Sequence, residues 1–183
     1  MAYRNGTYVA FHAQGTSEPT ESDMKYYRLL LAWNSNDSIE FSMNNSHDKT
    51  YAVRDHSSKE TLMSRLRARI NNSKNVVLII GDRTRFDNDW LPFEIAHAVD
   101  VSKIPIIAAY PGFERITLPK ELRQLWPRAL ADRIESGEAK VIHVPFKHIP
   151  IYSAIKQFSH NNLPPGSLAY YTLETYQQWG MVQ

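Results

Sequence analysis

The sequence predicts an α/β domain built on one doubly wound, five-stranded parallel sheet. Strand and helix patterns alternate along most of the 183 residues, which favours helices packed on both faces of a sheet. Residues 76–80 are an unbroken apolar run, β-branched at four of five positions, as expected of a central strand buried on both faces. Residues 104–110 predict another buried strand. Right-handed crossovers then favour the flavodoxin-like strand order 2-1-3-4-5.

The five strands are predicted from short apolar or alternating segments. The second is expected to be a half-exposed or edge strand, because apolar and polar residues alternate along it. Pro105 lies near the start of the fourth, where a missing N–H is least harmful. In chain order the predicted strands are residues 8–11, 39–43, 76–80, 104–110 and 141–144.

Helical spacing of apolar residues predicts a helix after each strand. Candidate N-caps are Thr20 or Ser22 for the first helix and Asp89 for the third. Ser57 and Glu60 fit a capping box at the start of the second. The remaining helical segments are residues 120–135, interrupted by Pro127, and a last helix carrying Ile151, Ile155 and Phe158.

The domain is expected to span residues 1–163, followed by an aromatic extension over residues 164–183. The extension carries Tyr170, Tyr171, Tyr176 and Trp179. Two interpretations are open, a helix packed back on the domain or an interaction segment, and packing is favoured.

Composition and charge exclude several classes of function. The net charge of +2 does not collect into a basic run, so nucleic-acid binding is not indicated. The absence of cysteine excludes disulfides, thiolate metal sites and a cysteine nucleophile, and it fits a reducing cytoplasm. No apolar segment approaches the ~18 residues of a membrane span, and the N-terminus shows no apolar signal region. We therefore expect a cytoplasmic protein without a membrane partner.

The strongest candidate site follows the third predicted strand. A polar loop over residues 82–88 leads to a helix in which Trp90 and Glu94 stand four residues apart, on one face. In open α/β sheets, ligands bind at the carboxyl edge of the strands, where this helix begins. A carboxylate beside an aromatic ring at that edge is therefore a site candidate. The structural alternative is a solvated Glu94, or one paired with a nearby arginine such as Arg83.

Other chemistries fit the sequence less well. A receiver-type phosphorylation site needs an acidic pair after the first strand, where this chain has Phe11 and His12. A flavin phosphate would be repelled by Glu18 and Glu21 in the first loop. A lone Glu-x-x-His, formed by Glu94 and His97, is too little for a di-iron site, so no metal is expected. Walker A, G-x-G-x-x-G and G-x-S-x-G motifs do not occur.

Several of these residues together resemble a known family. Trp90-x-x-x-Glu94 after a buried third strand is similar to the catalytic segment of NAD-degrading TIR domains. Phe11-His12 at the end of the first strand, and the turn over residues 80–84, resemble the TIR-like proteins of bacterial Thoeris anti-phage systems. The resemblance covers roughly residues 6–160.

The resemblance implies a function and a set of site residues. It implies that NAD binds as a substrate at the carboxyl edge, with no separate cofactor, and that Glu94 is the catalytic carboxylate. Pocket residues implied by position are Phe11, His12, Asp48, Arg83 and Trp90. The product would be a cyclic ADP-ribose type signal that activates a partner effector, and self-association is expected for activity.

Two further interpretations remain open. The chain could be a non-enzymatic TIR-like module that recruits partners by domain contacts. It could also be an enzyme that stays latent until self-assembly or infection triggers it.

Overall fold

The computed structural model describes residues 4–13, 22–44 and 58–183. Within them, five strands form one sheet in which every pairing is parallel and the order is β1-β2-β3-β4-β5. The predicted α/β class with a five-stranded parallel sheet is therefore confirmed. The strands are β1 (Gly6–Ala10), β2 (Ser73–Ile79), β3 (Ile106–Tyr110), β4 (Val141–Pro145) and β5 (Ala169–Tyr170).

Helices cover both faces of the sheet. Side chains alternate along each strand, so Tyr8 and Leu78 face one hydrophobic cluster while Val9 and Val77 face the other. The α-helices are α1 (Met24–Asn34), α2 (Lys59–Asn71), α3 (Leu91–Ala96), α4 (Arg128–Glu135), α5 (His148–Gln157) and α6 (Leu173–Gln178). The first cluster includes residues of α2, α3 and α4, and the second includes residues of α1 and α5.

The predicted strand over residues 39–43 is wrong, because this segment has no regular strand. Its burial pattern follows the expected alternation, with Phe41 and Met43 both buried. Its amides, however, bond locally: Phe41 N donates to Ile39 O at 2.7 Å, and Met43 N donates to Asn34 Oδ1 at 2.6 Å. These local hydrogen bonds take the place of a β-ladder with a neighbouring strand. The segment still reaches β1, where Thr7 N donates to Asn44 O at 2.7 Å.

The other four predicted strands correspond to β1, β2, β3 and β4. They lie side by side in the expected order. The fifth strand of the sheet is β5, from the aromatic extension. Its two residues pair with Ile142 and His143 of β4. Tyr176 of α6 is fully buried, and its phenol contacts the backbone of Ile116. The division of the chain at residue 163 stays a prediction.

Helix starts differ from the predicted caps by one or two residues. Asp23 occupies the N-cap of α1, and Thr20 lies outside the described residues. Ser58, whose side chain accepts a hydrogen bond from Thr61 N at 3.3 Å, caps α2 in place of Ser57, which also lies outside the described residues. Asp89 does not cap α3, because that helix begins two residues later.

No helix within the described ranges is long and apolar enough to cross a membrane.

Candidate functional site at the carboxyl edge of the sheet

Glu94 lies in the first turn of α3, the helix that follows the interior strand β2. Its backbone N–H donates to Trp90 O at 3.0 Å, which closes the first turn. Trp90 is the N-cap residue, and its side chain makes no cap hydrogen bond. Pro92 is tolerated in the first turn because a backbone N–H at that position has no partner within the helix. The side chain of Glu94 therefore lies near the carboxyl edge of β2. It is only 8% exposed.

The carboxylate of Glu94 is held by a strand residue. Tyr8 of β1, fully buried, donates its phenolic O–H to Glu94 Oε1 at 2.5 Å. Burial first, and then the negative charge of Glu94, raise the pKa of Tyr8 well above its usual value of 10.0. The phenol therefore keeps its proton and remains a donor to the carboxylate. A charge-assisted bond of this kind fixes the orientation of an anion more strongly than a neutral bond would.

A second polar pair lies just beyond the end of β1. His12 Nδ1 and Asp87 Oδ2 are 2.7 Å apart, and the two side chains are 11% and 9% exposed. Asp87 belongs to the loop between β2 and α3, three residues before Trp90. Its other carboxylate oxygen accepts from Asp89 N at 2.9 Å. The pair therefore joins the end of β1 to the loop that leads to Glu94.

The start of α1 is tied to the end of β2 by a third set of contacts. Asp23 N donates to His12 O at 3.0 Å, while its carboxylate accepts from the Thr84 hydroxyl at 2.7 Å. That hydroxyl oxygen in turn accepts from Gly81 N at 2.8 Å. Burial raises the pKa of Asp23, although the Thr84 hydrogen bond opposes the shift. These bonds join the start of α1 to the residues just after β1 and to the turn just after β2.

The comparison with protein families matches this region. A family model described as "Thoeris protein ThsB, TIR-like domain" matches residues 8–115, more than half of the chain. The chain belongs to the Thoeris TIR-like family. The matched span begins at Tyr8, contains His12, Asp87 and Glu94, and ends just after β3. Membership points to signalling in anti-phage defence.

The other site residues predicted for this Thoeris domain differ in their burial and in the side of the sheet on which they lie. Phe11 is buried and stacks on Tyr27 of α1, with ring centroids 4.9 Å apart, on the face opposite Tyr8. Arg83 is exposed in the loop after β2. Trp90 is half-buried against the cluster under α3, and the Lys59 ammonium lies 5.7 Å from its ring centroid. Asp48 lies outside the described residues. The assignment of these residues to NAD stays a prediction.

Tyr8, Asp23 and Asp87 belong to the site but were not predicted from the sequence. In the sequence pattern Tyr8 is only a strand residue, and its partner Glu94 lies 86 residues away in the chain. Asp87 is only one residue of a polar loop. The one available signal was its place in the loop between a buried central strand and its helix, where side chains meet those of the neighbouring strand.

His97, three residues after Glu94, contacts Asn71. His97 Nε2 lies 2.9 Å from Asn71 Oδ1, an acceptor, so this nitrogen donates. Burial, and then the charge of Arg67, lower the pKa of His97. Within the described residues, no group of three or more His, Asp or Glu side chains could hold a metal ion.

A cleft at the opposite edge of the sheet does not coincide with this chemistry. A cleft of about 640 Å³ lies beside β5, at the other side of the sheet from β1, and is lined by residues such as Phe158, Leu168 and Tyr171. Its lining is mostly apolar. Residues 14–21 and 45–57 lie outside the described residues. We therefore place the candidate site by its polar contacts rather than by cavity size.

Proposed function

We propose that this Thoeris TIR-like domain cleaves the nicotinamide–ribose bond of NAD, with Glu94 as the catalytic carboxylate. The observation that carries the proposal is the Glu94 carboxylate itself. It lies in the first turn of α3 and is oriented by the Tyr8 phenol, and the preceding loop carries Asp87 of the His12–Asp87 pair. A pre-oriented anion at the ligand-binding edge of an α/β sheet suits a reaction that develops positive charge.

The chemistry needs one anion and no acid. Breaking the C1′–N bond gives the ribose oxocarbenium character, as in glycoside hydrolysis. Glu94 would stabilise that positive charge, and its fixed orientation avoids reorganisation during the reaction. The bond's electron pair passes to the pyridinium nitrogen, so nicotinamide leaves neutral and needs no proton from the protein. One carboxylate is therefore sufficient for the cleavage step.

Attack on the ribose carbon by a hydroxyl group of the same molecule would give a cyclic ADP-ribose type product, whereas attack by water would give ADP-ribose. We propose the cyclic signal, acting on a partner effector, as the output in defence. Exclusion of water from the carboxyl edge would favour the internal nucleophile.

Arg83 and Trp90 would complete the substrate site. The exposed Arg83 guanidinium stands in the loop beside the edge and suits the pyrophosphate of NAD. Trp90 presents a partly exposed aromatic face on the same helix end as Glu94. These contacts would bind parts of NAD that do not react.

A second, non-enzymatic function is favoured by the burial of Glu94, which is only 8% exposed, together with its hydrogen bond to Tyr8. A buried, hydrogen-bonded carboxylate also occurs where a side chain only joins a helix to a sheet. On that basis the domain would be a TIR-like signalling module that acts through protein contacts. It would show no NAD turnover, and Glu94→Gln would affect folding stability alone.

Mass spectrometry of NAD incubated with the purified chain separates these functions. The protein is assayed dilute and concentrated, because an enzyme that requires self-association would be active only when concentrated. Nicotinamide release with a cyclic or linear ADP-ribose product, lost in Glu94→Gln, supports the enzyme. Absence of nicotinamide release at every concentration would favour the contact module.

A further inference from the structure

The His12–Asp87 pair has the geometry of a positioned base. An ionised carboxylate only accepts hydrogen bonds, so at 2.7 Å from Asp87 Oδ2 the His12 Nδ1 atom carries the proton. In the neutral ring Nε2 is then the basic nitrogen. A carboxylate on Nδ1 that sets the tautomer and orientation of an imidazole is the arrangement used to prepare a histidine base in catalytic triads.

Nε2 of His12 is available for this role. Within residues 4–13, 22–44 and 58–183, no hydrogen bond engages it, whereas Nδ1 is bonded. The side chain retains 11% of its surface exposed. The backbone is fixed as well, since His12 O accepts from Asp23 N at 3.0 Å. The ring is therefore held on one side by Asp87 and anchored at its main chain.

The pair and Glu94 are attached to the same two elements. Tyr8, which holds Glu94, and His12, which holds Asp87, are four residues apart on one chain segment, about 13 Å along an extended strand. Asp87 lies in the loop between β2 and α3, and Glu94 lies in the first turn of α3. A substrate at the carboxyl edge would therefore find the anion and the imidazole on the same side of β1.

We propose that His12 is the general base that activates the hydroxyl nucleophile after nicotinamide leaves, and that Asp87 positions it. The inference rests on the proposed NAD cleavage. In this step the oxygen of a ribose hydroxyl or of water forms a bond to C1′. Its proton passes to Nε2 of His12, and the C1′–N electron pair has already left with nicotinamide. The protonated His12 then releases the proton to solvent.

Cleavage and capture can be separated by the choice of nucleophile. A hydroxyl group must lose a proton when it is captured, so its attack benefits from a base. A pyridine nitrogen carries no proton and attacks with its lone pair. An enzyme that lacks its base should therefore still exchange nicotinamide for an added pyridine while failing to form hydroxyl-derived products.

The test measures both reactions in one assay. The full chain is incubated with NAD and 3-acetylpyridine, and the exchanged dinucleotide is quantified beside the cyclic or linear ADP-ribose product. For His12→Ala we expect a loss of about 100-fold in hydroxyl capture, the usual contribution of a general base, with a much smaller loss in exchange. Asp87→Asn should shift the ratio in the same direction, because an amide does not enforce the tautomer.

Each other outcome contradicts the proposal in a distinct way. A parallel loss of exchange and capture in His12→Ala would make the pair structural and overturn the assignment of His12, while the proposed role of Glu94 in NAD cleavage would still stand. Unchanged capture would overturn it as well. A wild-type chain that neither exchanges nor releases nicotinamide would overturn the proposed function, and the role of His12 with it. Glu94→Gln serves as the control that should lose both reactions.

Discussion

Tyr8 and Glu94 are joined by a 2.5 Å hydrogen bond between a strand and a helix that are 86 residues apart in sequence. The phenol is fully buried and the carboxylate nearly so. A buried anion is tolerated only when donors compensate for its lost hydration, and here Tyr8 is one such donor. The same bond therefore stabilises the fold and fixes the carboxylate that we assign to catalysis.

Replacement of Tyr8 by Phe tests both consequences. The variant retains the ring but leaves Glu94 with one donor fewer, so we expect a loss of roughly 1–3 kcal/mol in the free energy of unfolding. If Tyr8 positions the catalytic anion, kcat should fall while KM changes little. Tyr176→Phe, which removes a buried phenol near Ile116, is the matched control. Full turnover in Tyr8→Phe would show that Glu94 needs no positioning by Tyr8.

Gly81 is required by the close approach of Asp23. A Cβ atom at this position would lie 2.2 Å from Asp23 Oδ1, and that carboxylate is held by Thr84. We expect Gly81→Ala to destabilise the fold by about 1–3 kcal/mol, the usual cost of overpacking.

Chemical denaturation of Gly81→Ala, Asp23→Ala and the double variant measures the coupling between the two positions. The double variant should be more stable than the sum of the two single effects implies, because the clash is then absent. Strict additivity would show that the clash is relieved by other movements.

His143 makes the stability of the fold depend on pH. It is fully buried, Tyr110 donates to Nδ1 at 2.7 Å, and Nε2 donates to Ser167 O at 3.0 Å. This is the neutral ring, and burial lowers its pKa from 6.5 to about 4. Between these values the unfolded chain binds a proton that the folded chain does not. The associated stability is therefore complete above pH 6.5 and is lost as pH falls toward 4.

The expected size of that loss is about 3 kcal/mol, from 1.36 kcal/mol for each pKa unit. Urea denaturation of the wild-type chain and of His143→Gln, measured at pH 7 and at pH 4.5, would detect it. The variant should be less stable at pH 7 but should lose less on acidification. An equal loss in both proteins would assign the pH dependence to other groups.

Replacement of Arg83 by Ala tests whether this side chain binds the pyrophosphate of NAD. A hydrogen bond to a charged group contributes about 1.5–3 kcal/mol, so Arg83→Ala should raise KM for NAD by roughly tenfold or more. The guanidinium would bind a part of NAD that does not react, and kcat should therefore remain near the wild-type value. Arg65→Ala, on the exposed side of α2, is the control. An unchanged KM would remove Arg83 from the site.

The sequence was sufficient to predict four of the sheet's five strands and the place of Glu94, because these depend on local pattern. The apolar run around Val77 predicted the central strand, and the loop and helix that follow it placed Glu94 at the carboxyl edge. The alternation around Phe41 and Met43 predicted their burial correctly. It did not predict strand geometry, because the amides of these residues bond to Asn34 and to the local chain instead of to a neighbouring strand.

The contacts that define the site could not be predicted in this way. The bond between His12 and Asp87 joins residues 75 positions apart and exists only once β1 and β2 are paired. The same holds for Tyr8 and Glu94. The cap of α2 shows a smaller difficulty, since Ser57 and Ser58 are adjacent and either hydroxyl could begin the helix.

The most direct test of the account is the rate of nicotinamide release from NAD by Glu94→Gln at concentrated protein. Glu174→Gln, an exposed glutamate in the first turn of α6, is the matched control, and thermal melting verifies that both variants are folded. We expect release by the wild-type chain and by Glu174→Gln, and a loss of at least about 100-fold in Glu94→Gln, as when transition-state charge stabilisation is removed. If a folded Glu94→Gln protein released nicotinamide at the wild-type rate, the central claim would be contradicted.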